Sequence, residues 1–167
     1  MSLAQTTAIG RNTIPITKPQ LLIGLLVLIP LAISGPQLLL GSIVNSLLII
    51  LSTTSPRKNW LILSAIPSLM AIIHGAIFGF FTPYLFYLWP IITMGNWVYM
   101  NYGQRGPLLA IITKTLILYI GATVLFELKI IPQILVGSMG IIQLLTASIG
   151  AVAAKIYESR SKPFSAA

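Results

Sequence analysis

The sequence predicts an all-α integral membrane protein, a compact bundle of six transmembrane helices with both termini cytoplasmic. Three observations carry this. Of 167 residues, 56% are hydrophobic and only 7% charged, where a soluble domain would carry roughly 25% charged residues. The charge-free stretches are long: Pro19 to Pro56, Asn59 to Gln104 and Ile130 to Ala154. The few basic residues sit at the ends of apolar runs, where topology signals belong.

A helical crossing needs about 20 apolar residues. The first two stretches each hold two crossings and the third holds one. Gly106–Phe126 adds another, interrupted by a single lysine, Lys114. The expected organisation is a polar N-terminal segment (1–17), a six-helix transmembrane domain (18–157) and a polar C-terminal tail (158–167).

Span 1 is expected at Lys18–Ile33, with Pro19 in the first turn, where its missing N–H costs nothing. The polar residues before it do not form a secretory signal, so span 1 is read as retained. Ser34-Gly35-Pro36 is a turn signal. Span 2 follows at Gln37–Ser52, then a basic loop around Arg57 and Lys58. Span 3 is Trp60–Phe80, with Pro67 inside it. Span 4 is Pro83–Tyr102, with Pro90 inside it. Pro107 opens span 5, Pro107–Phe126. Glu127-Leu128-Lys129 breaks the chain before span 6, Pro132–Tyr157.

With six spans, one side holds Arg11, Lys18, Arg57, Lys58, Arg105, Lys155, Arg160 and Lys162. The other side holds only Lys129. This split places both termini in the cytoplasm and favours an even number of spans. The net charge of +8 is thereby accounted for without nucleic acid, for which little soluble surface remains. The absence of cysteine excludes disulfides, a thiolate-held cluster and a cysteine nucleophile. No carboxylate pair, phosphate loop or Ser–His–Asp set can be assembled, so no enzyme activity and no cofactor are expected. Active transport would need another subunit to supply energy.

Lys114 is the leading candidate residue. It lies about eight residues, or roughly 12 Å, into span 5. An ammonium at that depth costs several kcal/mol unless it pairs, snorkels or faces water. No acid lies within a span to pair with it. Either a bound anion supplies the partner, or Lys114 caps backbone carbonyls as a structural group. Pro67, Pro90 and Gly95-Asn96 mark interrupted helices, which point either to a solute site or to packing kinks. Phe78, Phe80, Phe81, Tyr84, Phe86, Tyr87 and Trp89 crowd the 3–4 turn, as an interfacial belt or as a ligand wall. Asn45, Asn96 and Gln143 must find hydrogen bonds in lipid, as helix–helix contacts or as ligand contacts. His74 is read as an interior, satisfied histidine. Small residues recur at Ala71, Gly75 and Gly79, at Ala147 and Ala151, and at Gly150 and Ala154. These ridges suit internal packing or docking to another membrane subunit.

Four short runs together resemble the substrate-binding S components of energy-coupling factor transporters. They are Gly35-Pro36 with Val44-Asn45; Pro90-Ile91-Ile92-Thr93-Met94-Gly95-Asn96; Lys114 in the fifth helix; and Gln143-Leu144-Leu145-Thr146-Ala147-Ser148-Ile149-Gly150. The resemblance runs over about Gln20–Lys155. It implies a six-helix cell-membrane protein that binds a vitamin, a metal ion or another small solute near the outer face. It implies docking to a coupling transmembrane subunit carrying two ATPases, and places Asn45, Asn96, Lys114 and Gln143 at the pocket. The Ala-x-x-x-Ala docking motif of many S components is missing from Lys18–Ile33, and the span 6 ridge is its nearest substitute.

The expected function is therefore substrate binding for an ATP-driven importer of a small polar or anionic organic solute. Lys114 would neutralise the solute, Asn96 and Asn45 would orient it, and Tyr84, Tyr87 and Trp89 would close over it. The alternative is a small accessory subunit of a larger membrane complex, with no ligand of its own.

Overall fold

A computed structural model describes residues 17–33, 35–75 and 79–161. The N-terminal segment with Arg11, Ser34 of the first turn, Phe78 of the aromatic run and the tail from Lys162 lie outside the described residues.

Every regular element among the described residues is helical. Six helices follow one another: α1 (Lys18–Ala32), α2 (Gln37–Thr54), α3 (Trp60–His74), α4 (Leu85–Gly103), α5 (Pro107–Glu127) and α6. Helix α6 is built from Gln133–Gly137, a π turn at Ser138–Ile142 and Gln143–Ser161. Three of the six, α2, α5 and α6, are long and apolar enough to cross a membrane. Their outward faces are apolar: Leu116, Ile120 and Val124 of α5 are each half exposed or more. Water would make such faces costly, whereas lipid would not.

Local chemistry sets the helix limits. The Thr17 N–H donates to Gln20 Oε1 at 2.9 Å, and Pro19 occupies the first turn of α1. Pro107 opens α5 in the same way. Helix α3 stops at His74 because Gly75 turns into the left-handed region at φ 77°, where a side chain is strained. This corrects two expectations. His74 is the last residue of its helix, not a mid-span residue. Ala71, Gly75 and Gly79 do not form a helical ridge, since Gly75 caps α3 and Gly79 begins a separate 3-10 segment, Gly79–Tyr84. At the other end of the chain, α6 runs to Ser161, beyond the expected limit at Tyr157.

Helix α2 lies along α6, α4 is packed between α3 and α5, and α1 covers α2 and α3. The α2–α6 contact is close because Gly150 has no side chain. A Cβ there would lie 2.5 Å from Asn45 Cβ and 2.9 Å from the Ser46 backbone nitrogen. Ala147, Ala151 and Ala154 are buried alongside it. The span 6 ridge thus serves internal packing and offers no docking face, contrary to the substitute role the sequence suggested.

The interior is divided. One apolar cluster includes Leu48, Leu51, Met100, Ala110, Ala147 and Ala154. The other includes Leu85, Leu88, Leu118, Ala122, Leu135 and Met139. On α4, α5 and α6 polar side chains lie in the interval between the two clusters: Asn96, Lys114, and Gln143 with Thr146. On α2, Asn45 sits just before the first cluster begins.

Candidate functional site

Lys114 is 2% exposed, despite its length and charge. Its Nζ donates to Asn45 Oδ1 on α2 and, at 2.7 Å, to Asn96 Oδ1 on α4. It also lies 4.8 Å from the centroid of the Tyr99 ring, a cation–π distance. Both amides are fixed by their other ends. Asn45 Nδ2 donates to Thr146 Oγ1 at 3.2 Å, and Thr146 Oγ1 donates to Gln143 O at 3.2 Å. Asn96 Nδ2 donates to Ser64 O at 2.9 Å. The Tyr99 hydroxyl donates to Ala147 O at 2.6 Å. These bonds tie α2, α3, α4, α5 and α6 together at one level.

The backbone is shaped to allow it. Pro67 cannot supply the N–H that would bond Leu63 O, so the hydrogen-bond ladder of α3 is interrupted there. The adjoining Ser64 carbonyl is the one Asn96 reaches. On α6 the π turn ends at Ile142, directly before Gln143. Such turns widen a helix by one residue and frequently occur at functional sites.

The electrostatics are one-sided. The chain has two acids, Glu127 and Glu158. Glu127 is 13 residues further along α5, roughly 20 Å away. Glu158 receives a hydrogen bond from Gln104 Nε2 at 3.3 Å, near the far end of α6. Lys114 therefore meets amide dipoles and an aromatic face, and no carboxylate among the described residues. Two neutral acceptors do not cancel a full charge in a medium of low polarity.

Beside the ammonium is a cavity of about 90 Å³. Its polar lining is Gln37, Asn45, Ser68, Asn96, Lys114 and Gln143, and all six helices contribute to its wall. Gln37 Oε1 accepts from Ser138 Oγ at 2.8 Å, while its buried Nε2 has no partner among the described residues. Lys114 and Gln37, the latter with an unused amide N–H, thus line one small space. The arrangement can hold a compact anion. It is smaller than the roughly 300–1,000 Å³ of sites for drug-sized ligands.

Of the residues singled out from the sequence, Lys114, Asn45, Asn96 and Gln143 are brought together. Tyr84, Tyr87 and Trp89 are not, and a closing role over this cavity does not fit their positions. Tyr84 lies by Phe126, Glu127 and Lys129. Tyr87 is exposed and meets Phe86 edge-on at 6.1 Å. Trp89 borders a groove between α3 and α4. Helical rotation separates residues that are close in sequence. Sequence reasoning missed Gln37, Tyr99 and Ser64 as members of the network. Tyr99 was available as a large aromatic three residues after Asn96, on the same face of α4.

Among the described residues no group of three or more His, Asp or Glu side chains is placed to hold a metal ion. Comparison of the chain with protein-family models, with curated proteins and with solved structures returns no match.

Proposed function

We propose that this protein is a substrate-binding membrane subunit of an ATP-driven importer in the cell membrane. In this reading all six helices cross the bilayer and both termini are cytoplasmic. A small anionic solute is captured from the outer side at Lys114. A coupling transmembrane subunit with two ATPases then delivers it inward.

The observation that carries the reading is the buried Lys114, without a carboxylate, lining a small and mostly apolar cavity to which Gln37, Asn45, Asn96 and Gln143 bring polar groups. Holding such a charge costs several kcal/mol. A solute carboxylate or phosphate would offset that cost at the moment it binds. The cavity volume narrows the solute from vitamin-sized to compact, with only a few non-hydrogen atoms. The transport role rests on the four sequence runs that resemble S components, each of which contributes residues to this cavity or its hydrogen bonds.

A second reading has an observation in its favour. Lys114 already donates to two side-chain carbonyls, as a structural crosslink would. In that case the protein is an accessory subunit of a larger membrane complex.

Native mass spectrometry of the purified protein, with small-molecule identification, separates the two. A co-purifying anion bound to the wild type and absent from Lys114→Met supports the importer subunit. An empty wild type, with the variant equally well folded, supports the accessory subunit.

A further inference from the structure

A second site lies away from Lys114, where α3 and α4 meet near the α2–α3 and α4–α5 turns. A pocket of about 210 Å³ is lined there by Arg57, Trp97, Val98, Asn101, Tyr102 and Arg105. Two guanidinium groups border it and no acid does. Glu158 borders the neighbouring pocket instead, engaged by Gln104. Arg57 is positioned by stacking over Trp60 at 5.5 Å, and Trp60 Nε1 is fixed on Ser55 O at 3.1 Å.

Trp97 also lines a second space, an apolar groove of about 520 Å³ between α3 and α4. Leu61, Ile62 and Ala65 form one wall, and Trp89, Pro90 and Met94 the other. On α4, Trp89, Thr93, Trp97 and Asn101 recur every four residues and Arg105 follows in the turn beyond Gly103, so one ridge leads from groove to pocket. From Trp97 to Trp89 the groove extends roughly 12 Å along the helix.

We propose that this paired feature binds one anionic phospholipid, its phosphate between Arg57 and Arg105 and an acyl chain along the α3–α4 groove. Guanidinium groups match phosphate oxygens in pairs. Basic pockets between membrane helices at one leaflet are suited to anionic headgroups. The occupant of the groove is a chain and not a partner helix for a stated reason. Helix–helix contacts in lipid favour small residues, whereas this groove is walled mostly by Leu, Ile, Trp, Pro and Met, with Ala65 and Thr93 its small residues. The site is independent of Lys114 and of the transport reading.

The test uses the full chain in phosphatidylcholine vesicles, with tryptophan fluorescence as the readout. Dibrominated phosphatidylglycerol is added as a minor lipid, and dibrominated phosphatidylcholine of matched chains is the control. The brominated anionic lipid should quench more strongly, since Trp89 and Trp97 border the groove. Arg57→Gln and Arg105→Gln should each weaken the preference roughly fivefold. Ala65→Phe, which fills the groove, should reduce quenching by the anionic lipid with all charges kept. The equal charge change in Arg160→Gln, on α6, should leave the preference intact. Equal quenching by both lipids, or equal loss in the α6 variant, would overturn the site. Competition by millimolar inorganic phosphate would overturn the lipid as its ligand.

Discussion

Lys114 Nζ and Asn96 Oδ1 meet at 2.7 Å across the α4–α5 contact, and Asn96 passes the bond on to Ser64 O of α3. One side chain therefore both accepts from a buried cation and donates to the backbone of a proline-interrupted helix. Asn45 has the matching role toward α6 through Thr146. The two amides act as a cradle that holds the ammonium at the seam between two apolar clusters.

The cradle predicts coupled mutations. Asn96→Leu leaves the Ser64 carbonyl without its amide partner and Lys114 with one side-chain acceptor. It should cost about 2–3 kcal/mol of stability. In a Lys114→Met background the same change should cost at least 1 kcal/mol less, because no buried charge is stranded. Chemical denaturation in detergent of the four proteins of this cycle measures the difference. Additive costs would show that the two residues do not act together.

Tyr99→Phe tests the second layer. It removes the hydroxyl that donates to Ala147 O and keeps the ring beside Lys114. A loss of about 1 kcal/mol is expected, with ligand selectivity unchanged. Tyr99→Leu should cost more and also weaken anion binding, since the ring face is lost. Equal effects of the two would remove the ring from the account of the ammonium.

Gly150→Val tests how α6 sets the position of Asn45. The new Cβ would overlap Asn45 Cβ and the Ser46 nitrogen. The helices must separate, at a cost of about 1–3 kcal/mol, and Asn45 moves away from Lys114. Thermal unfolding and anion binding should fall together. A variant that unfolds earlier yet binds normally would show that Asn45 is not needed at the site.

The absence of cysteine permits a direct test of topology. Single cysteines at Lys58 and Arg105 should be labelled by an impermeant reagent only from the cytoplasmic side of sealed vesicles. A cysteine at Lys129 should be labelled only from the opposite side. Labelling of positions 58 and 129 from one side would exclude six crossings with this orientation.

Much of the fold was legible because its signals are local. Pro19 and Pro107 mark helix starts, and the charge-free runs delimit the apolar helices. Lys114, Asn45, Asn96 and Gln143 stood out because polar groups are rare in such runs and expensive to bury. What was not legible depends on rotation and contact. Tyr84, Tyr87 and Trp89 are neighbours in sequence but face three different surroundings. Gln37 carries no sequence signal beyond a polar residue at a helix start, and only the packing of α2 against α6 brings it to the cavity. Gly75 fitted a four-residue repeat, but its backbone angle ends the helix. The π turn left no trace in the sequence, since five-residue hydrogen bonding needs no particular residue type.

The most direct test of the account is the thermal stability of wild type and Lys114→Met across compact anions, from formate and acetate to phosphate. Without ligand, the variant is relieved of a buried charge but leaves Asn45 Oδ1 and Asn96 Oδ1 without their donor, so its stability should stay within about 2 kcal/mol of the wild type. An anion that fits, present at 100 times its Kd, should stabilise the wild type by about 2.7 kcal/mol. That is a rise of roughly 5–10 °C in Tm, and the variant should show none. A wild type that no anion stabilises, or an equal shift in both proteins, would contradict an anion site at Lys114.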